Sequence, residues 1–224
     1  MPDIDKLNEL KEYCNNHNVK LVAVSKTKSN AEILATYKAK HKIYGENKVQ
    51  EMVPKYESLP RDIQWHLVGH LQRNKVKYIA PFVSLIHSMD SIRLCKEIDK
   101  QGRNAGRVQN CLIQVHIAEE ETKHGFSQED LEAFFNSDEY KSMEYVRIKG
   151  LMGIATNTGD EEQIRKEFRW LAHLHKTLKA NYFSESKTFT ELSMGMTNDY
   201  QIGVEEGSTM VRIGSLIFGE RDIA

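Results

Sequence analysis

Lys26 is the residue whose type and position first suggest chemistry. It directly follows the apolar run 20–25, so a buried strand would deliver it to the strand's carboxyl end. Desolvation there favours a neutral amine, the form of a lysine that attacks a carbonyl to give a Schiff base. The alternative, that Lys26 and Lys28 are solvated residues opening a loop, stays open on this observation alone.

Two glycine-containing segments near the end of the chain could seat a phosphate. The first is Leu192–Asp199, which includes Ser193, Met194 and Gly195, and the second is Ile213–Gly219, which includes Gly214 and Ser215. Small residues after a strand leave backbone N–H groups exposed to an anion, and phosphate sites in barrels favour the loops after strands seven and eight. Glycines that only make tight turns are the competing interpretation.

Arg212 lies two residues before the second glycine, so the two share a strand face. A buried guanidinium needs partners because it cannot shed its charge. A salt bridge to Glu46 or Glu191 and a direct ligand contact are both open. His66 and His70 lie around a strand end with no carboxylate at a spacing that would complete a zinc site, so no metal site is predicted.

The elements that would position these residues alternate regularly along the chain. Short apolar runs with strand character occupy 20–26, 42–46, 64–70, 82–89, 111–118, 146–155, 188–195 and 209–215. Amphipathic helical patterns occupy 3–16, 30–40, 47–57, 91–102, 128–136 and 160–179. Eight strands alternating with helices predict an α/β fold, a single (β/α)8 TIM barrel with an extra N-terminal helix. A doubly wound open sheet is the alternative, although no nucleotide-binding glycine motif follows any strand.

Composition excludes several functional classes. The 224 residues carry a formal charge of −1, which lacks the basic excess of nucleic-acid and membrane-surface binders. The 40% hydrophobic and 28% charged content is that of a globular protein, and no linker divides it, so one domain over residues 1–224 is expected. Three separated cysteines, with no apolar span or signal peptide, predict a cytoplasmic protein.

Seven segments in order resemble the pyridoxal phosphate homeostasis protein family, single-domain barrels of PLP fold type III related to the N-terminal domain of alanine racemase. They are 22–28, 44–51, 65–75, 86–91, 150–156, 192–199 and 207–222. The one departure noted is Lys48, where a larger aromatic residue is common.

The resemblance implies that Lys26 bonds pyridoxal 5′-phosphate (PLP) as a Schiff base, that Asn47 lies near the cofactor ring and that Arg212 faces the pyridine nitrogen. It also implies that the phosphate rests on Ser193 with the Met194–Gly195 backbone, and on Gly214 and Ser215. The expected function is a PLP carrier or buffer in intracellular PLP homeostasis, exchanging the cofactor with PLP-dependent apo-enzymes and acting as a monomer.

Two rival functions remain from the sequence. One is a PLP-dependent amino-acid racemase, and the other is a Schiff-base aldolase acting on a phosphorylated substrate. Little racemase turnover is expected, because in the racemase relatives a second base arrives from an additional β-domain, whereas this chain ends ten residues past Gly214.

Overall fold

The computed structural model describes residues 1–120 and 124–219 and confirms the barrel. Eight strands form a closed sheet in the order β1-β2-β3-β4-β5-β6-β7-β8, with every neighbouring pair parallel and β8 returning to β1. The strands are β1 Lys20–Val24, β2 Ile43–Glu46, β3 Gln64–Leu67, β4 Leu85–Met89, β5 Gln109–Gln114, β6 Val146–Met152, β7 Glu191–Met196 and β8 Met210–Ile213. The last motif residues, 220–222, lie outside the described part.

Helices follow the strands and cover the sheet. They are α1 Ile4–Asn16, α2 Asn30–Lys38, α3 Val49–Ser58, α4 Val76–Ile79, α5 Ile92–Asn104, α6 Gln128–Asn136, α7 Asp138–Lys141, α8 Glu161–Tyr182, α9 Tyr200–Glu205 and α10 Ser215–Phe218. The predicted long helices are confirmed, and the extra N-terminal helix begins at an Asp3 cap. None of the helices described combines the length and apolar character that crossing a membrane requires.

Each strand is shorter than the apolar run that predicted it, and β3 and β4 are two examples. β3 ends at Leu67 rather than His70, because Gly69 passes so close to Asn47 that a Cβ would lie 2.4 Å from its carbonyl oxygen. β4 begins at Leu85 rather than Phe82, because the chain there is still turning, with Val83 N–H donating to Ile79 O at 2.8 Å. Hydrophobicity alone does not separate a strand from the buried turn that precedes it.

The apolar core divides between the outside and the inside of the barrel. A large outer cluster packs the strands against the helices, while a small inner layer contains Val22, Leu85, Leu112, Met152 and Met210. Because side chains alternate along a strand, Met210 in this layer places Arg212 on the inner face as well, one step nearer the carboxyl end. The barrel interior is therefore filled by apolar side chains in this layer and becomes polar toward the carboxyl ends of the strands.

Candidate functional site

A cavity of about 490 Å³ opens at the carboxyl ends of the strands. Five of the eight predicted site residues line it: Lys26, Asn47, Arg212, Gly214 and Ser215. Its wall also includes Met196 at the end of β7 and Thr197 and Asn198 from the loop that follows. We call this space the mouth cavity. Its volume is typical of a pocket for a small organic ligand.

A buried ion pair between Glu46 and Lys55 contacts Ser25, the residue before Lys26. The Ser25 hydroxyl, fully buried, donates to Glu46 Oε1 at 2.6 Å. The Lys55 ammonium of α3 donates both to Glu46 Oε1 at 2.8 Å and to the Ser25 carbonyl at 2.9 Å. The residue directly before Lys26 is therefore fixed through its side chain and its backbone.

The residue directly after Lys26 is fixed as well. Thr27 has a φ of 65°, a left-handed conformation that costs a branched residue energy unless its surroundings impose it. Its N–H donates to Glu51 Oε2 at 2.7 Å. Anchored on both sides, Lys26 leaves the sheet at a defined point and reaches the mouth cavity half-buried.

Burial raises the pKa of Glu46, while the Lys55 ammonium and the Ser25 hydroxyl partly offset that rise. Both side chains are withdrawn from water, with Glu46 at 0% and Lys55 at 9% exposure. Within the described residues, Glu46 Oε2 has no hydrogen-bond partner. The pair therefore depends on one carboxylate oxygen, which makes Lys55 hard to replace.

The buried Arg212 is held by neutral oxygens. Its guanidinium donates to the Ser193 carbonyl at 2.9 Å, the Ser193 hydroxyl at 2.6 Å and the Gly153 carbonyl at 3.0 Å. The salt bridges considered from the sequence are not among the described contacts, because Glu46 pairs with Lys55 and Glu191 with Lys20. Burial lowers the pKa of Arg212 to about 10, with the Asp199 carboxylate opposing the shift, so the group stays charged at neutral pH.

Two buried histidines extend the hydrogen bonds of Arg212 and Ser193 into a row of polar groups across the barrel interior. His87 Nδ1 lies 3.0 Å from the Ser193 hydroxyl, and His87 Nε2 lies 3.0 Å from His66 Nδ1. Burial lowers the pKa of His66 to about 3, and it lowers that of His87 well below the ordinary value. Both imidazoles are neutral at pH 7, so they add dipoles rather than charge to the surroundings of Arg212, while the Asp199 carboxylate supplies a negative charge.

Three predicted residues do not line the mouth cavity. Ser193 and Met194 are fully buried in β7, and Gly195 is buried with a φ of 95°. The pairing of β7 with β8 shifts register between Ser193 and Met196, so the chain bulges here. That bulge brings the following residues, Met196 and Thr197, into the wall instead.

Met196 and Thr197 were not predicted as site residues, although both lie in the predicted segment Leu192–Asp199. Thr197 Oγ1 accepts a hydrogen bond from Ser215 Oγ at 3.2 Å, which joins the two glycine-containing loops at one edge of the mouth cavity. A glycine followed by a hydroxyl residue two positions later was the available clue. The two loops do converge, one step further along β7 than expected.

Comparison with known proteins gives a consistent result. The family model described as "Alanine racemase, N-terminal domain" matches residues 5–222. A pyridoxal phosphate homeostasis protein of Aquifex aeolicus is 43% identical over 90% of this chain and 87% of its own length. One of Helicobacter pylori is 36% identical over 93% of this chain and 90% of its own length.

Solved structures agree with the fold. PipY of Synechococcus elongatus with PLP bound matches with a TM-score of 0.86 and 32% identity, covering 96% of this chain and 99% of that one. An alanine racemase of Clostridium difficile matches with a TM-score of 0.71 but 15% identity, covering 97% of this chain and 56% of that one. The second likeness concerns the barrel fold alone.

Proposed function

This chain belongs to the alanine racemase N-terminal domain family and, within it, to the pyridoxal phosphate homeostasis proteins, and from that premise we propose that it binds PLP in the mouth cavity and carries or buffers the cofactor. The observation that carries the proposal is the convergence of Lys26, Arg212 and the Ser215–Thr197 pair on one opening of about 490 Å³. The Lys26 amine suits the aldehyde of PLP, and the buried Arg212 cation suits its ring nitrogen. The hydroxyl groups of Ser215 and Thr197 suit its phosphate.

Lys26 is the amine that bonds the cofactor in this proposal, since its neighbours on both sides are fixed by hydrogen bonds. When bound, PLP supplies an aldehyde that bonds amines reversibly and a ring that can withdraw electrons. Asn47 lies in the wall beside it, and its backbone is packed against Gly69. These two residues come from the neighbouring strands β1 and β2.

The phosphate contacts are proposed for Gly214 and Ser215, as the sequence suggested, together with Met196 and Thr197. The segment around Gly195 therefore still contributes to the proposed phosphate site, through Met196 and Thr197, whereas we propose a different role for Ser193. Its hydroxyl is already bonded to Arg212 and lies beside His87, so it supports the guanidinium rather than facing the cavity. Met194 packs in the core below.

Arg212 is proposed to face the pyridine nitrogen and to limit turnover. A guanidinium can only donate, and with a pKa of about 10 it stays charged at neutral pH. It therefore keeps a ring nitrogen unprotonated and weakens the electron sink on which transaminases depend, a handicap that racemisation can survive. A carrier that holds its cofactor without consuming amino acids fits this arrangement.

Three further aspects of the function belong to the same proposal. We propose that the protein acts in the cytoplasm, exchanges PLP with PLP-dependent apo-enzymes and does so as a monomer. The three cysteines are buried and form no disulfide, which suits a reducing compartment. Light scattering on the loaded protein tests the monomer, and transfer of PLP to an added apo-enzyme tests the exchange.

The test of PLP binding is a visible spectrum of the protein titrated with PLP, followed by borohydride reduction and peptide mass spectrometry. We expect a band that Lys26→Ala abolishes and a label on Lys26 in the unsubstituted protein. Lys28→Ala is the matched control, because Lys28 lines the same cavity but donates to the Phe218 carbonyl at 2.8 Å. A label on Lys28 would refute the assignment, and a protein that stays colourless would favour the aldolase.

A further inference from the structure

A second cluster of potential ligands lies on the same rim of the barrel, outside the mouth cavity. His70 follows β3, Asp90 follows β4 and His124 follows β5, so three neighbouring loops each contribute one side chain. None of the three is among the residues that line the mouth cavity. We call this cluster the rim triad.

The donor atoms of the rim triad are already close to metal-binding distances. His70 Nδ1 lies 3.1 Å from Asp90 Oδ2, and one ligand atom from each of the three residues lies within 4.8 Å of the others. A tetrahedral zinc ion with bonds of about 2.1 Å separates its neighbouring ligand atoms by roughly 3.4 Å. One pair thus meets that separation, and the third ligand needs a movement of about 1.5 Å at most.

Burial and ring packing bring the three side chains next to one another. The Asp90 side chain is only 9% exposed, whereas that of His70 is 49% exposed, so a nearly buried carboxylate faces an accessible imidazole. The rings of His70 and His124 stack with centroids 4.4 Å apart and planes 22° apart, so the two imidazoles are adjacent and one of them must rotate to direct its nitrogen at a shared ion. A buried carboxylate needs a positive partner, and a cation bound between it and the two imidazoles would supply one.

We propose that the rim triad is a site for a divalent transition-metal ion of the zinc class. Two imidazoles and one carboxylate form a donor set that suits borderline metals such as Zn²⁺ better than Mg²⁺ or Ca²⁺, which prefer oxygen. Three protein ligands leave a fourth position open. That position lies beside a groove lined by Arg73 and Arg93, which suits an anion or a water molecule as the fourth ligand.

The site would also connect to the mouth cavity through the backbone. Val68, two residues before His70, lines that cavity, and the intervening Gly69 packs on the Asn47 backbone. The Gly69 carbonyl accepts a hydrogen bond from the Ser88 hydroxyl at 2.5 Å, two residues before Asp90. A metal ion joining His70 to Asp90 would therefore brace the turn that supports Asn47.

The experiment is a calorimetric titration of tag-free, chelator-treated protein with Zn²⁺ alone, repeated with Mg²⁺. We expect one equivalent of Zn²⁺ and no response to Mg²⁺ at the same concentrations. His70→Ala and His124→Ala should each weaken Zn²⁺ binding at least ~10-fold, since even indirect ligand supports are worth 10–100-fold. Both side chains are exposed, so the fold should tolerate these changes.

His173→Ala is the matched control, because His173 is an exposed histidine on α8 remote from these loops in the sequence. It should leave the Zn²⁺ affinity unchanged. The proposal is overturned if Zn²⁺ does not bind, or if His173→Ala weakens binding as much as the triad variants do. It is equally overturned if the triad variants keep the original affinity, which would leave a simple hydrogen bond between His70 and Asp90.

Discussion

Replacing Lys55 by methionine removes the positive half of the ion pair beneath Lys26 while keeping a long apolar side chain in its place. Glu46 would then be left fully buried with one donor, the Ser25 hydroxyl, instead of two. The Ser25 carbonyl would also lose the Lys55 ammonium. The substitution therefore tests whether this pair holds the end of β1 in place.

The expected loss is about 3–5 kcal/mol in the free energy of unfolding at pH 8, the usual cost of leaving a buried charge without its partner. For a protein of this size the melting temperature should fall by roughly 6–20 °C. The loss should be smaller at pH 5. Without Lys55 the pKa of Glu46 rises further above its unfolded value, so the folded protein takes up a proton and stability is lost as pH increases through that window.

Urea unfolding followed by circular dichroism at pH 5 and pH 8 measures both effects. Lys96→Met is the matched control, since its 3.1 Å pair with Glu139 is about half exposed on both sides. Such a pair contributes at most about 1 kcal/mol. Glu46→Gln combined with Lys55→Met should recover part of the stability, because no charge remains buried. A loss in Lys55→Met no larger than in Lys96→Met, or equal losses at the two pH values, would refute the reasoning.

Four other outcomes are expected. Ser193→Ala should lower the free energy of unfolding in urea by about 2–4 kcal/mol, because it removes a hydrogen bond to Arg212 and leaves His87 Nδ1 without a partner. Ser88→Ala removes one hydrogen bond to a carbonyl and should cost about 1 kcal/mol. Equal losses in the two variants would contradict the network. Pyridoxal should bind at least ~100-fold more weakly than PLP in an absorbance titration, since the charge-assisted bonds of the phosphate are lost, and equal affinities would remove the phosphate seat. Exchange of the α-proton of L-alanine in deuterated water should stay far below the ~1 s⁻¹ of an ordinary enzyme, and turnover at that rate would establish a racemase. The free energy of unfolding should fall between pH 7 and pH 5 by up to roughly 1.4 kcal/mol per pH unit for each histidine whose folded pKa is depressed, because only the unfolded chain takes up these protons near pH 6.5. Glu46, whose folded pKa is raised, has the opposite pH dependence but is a single group. A flat profile would contradict the prediction. The histidines concerned are His41, His66, His87 and His175.

The barrel could be predicted from the sequence because its strands are buried on both faces. Each of the eight apolar runs overlaps a strand, and the errors lie at the ends, where turns such as Ile79–Val83 are as apolar as the strand that follows. Lys26 could be found for the same reason, since a charged residue after a buried strand marks its carboxyl end. The order of the elements then fixed which loops meet.

Side-chain partners could not be predicted from the sequence where they depend on strand register or on segments distant in the chain. The bulge in β7 moves Thr197 into the cavity wall and Ser193 beneath it, and simple alternation does not reveal such a shift. For Arg212 a carboxylate partner and a ligand contact were both open, and the neighbouring strands present carbonyl groups and a hydroxyl that the sequence did not indicate. His70 was judged by its distance from His66 in the chain, whereas its partners come from two other loops.

The row of polar groups inside the barrel has a consequence for the tautomers of its two imidazoles. His66 and His87 share one hydrogen bond between His66 Nδ1 and His87 Nε2, and both rings are neutral at pH 7. If His87 carries its proton on Nε2, His66 Nδ1 must accept it; if His87 carries it on Nδ1, His66 must donate. The two rings can therefore only exchange tautomers together, and long-range nitrogen–proton NMR should show only the two matched pairs out of the four possible combinations.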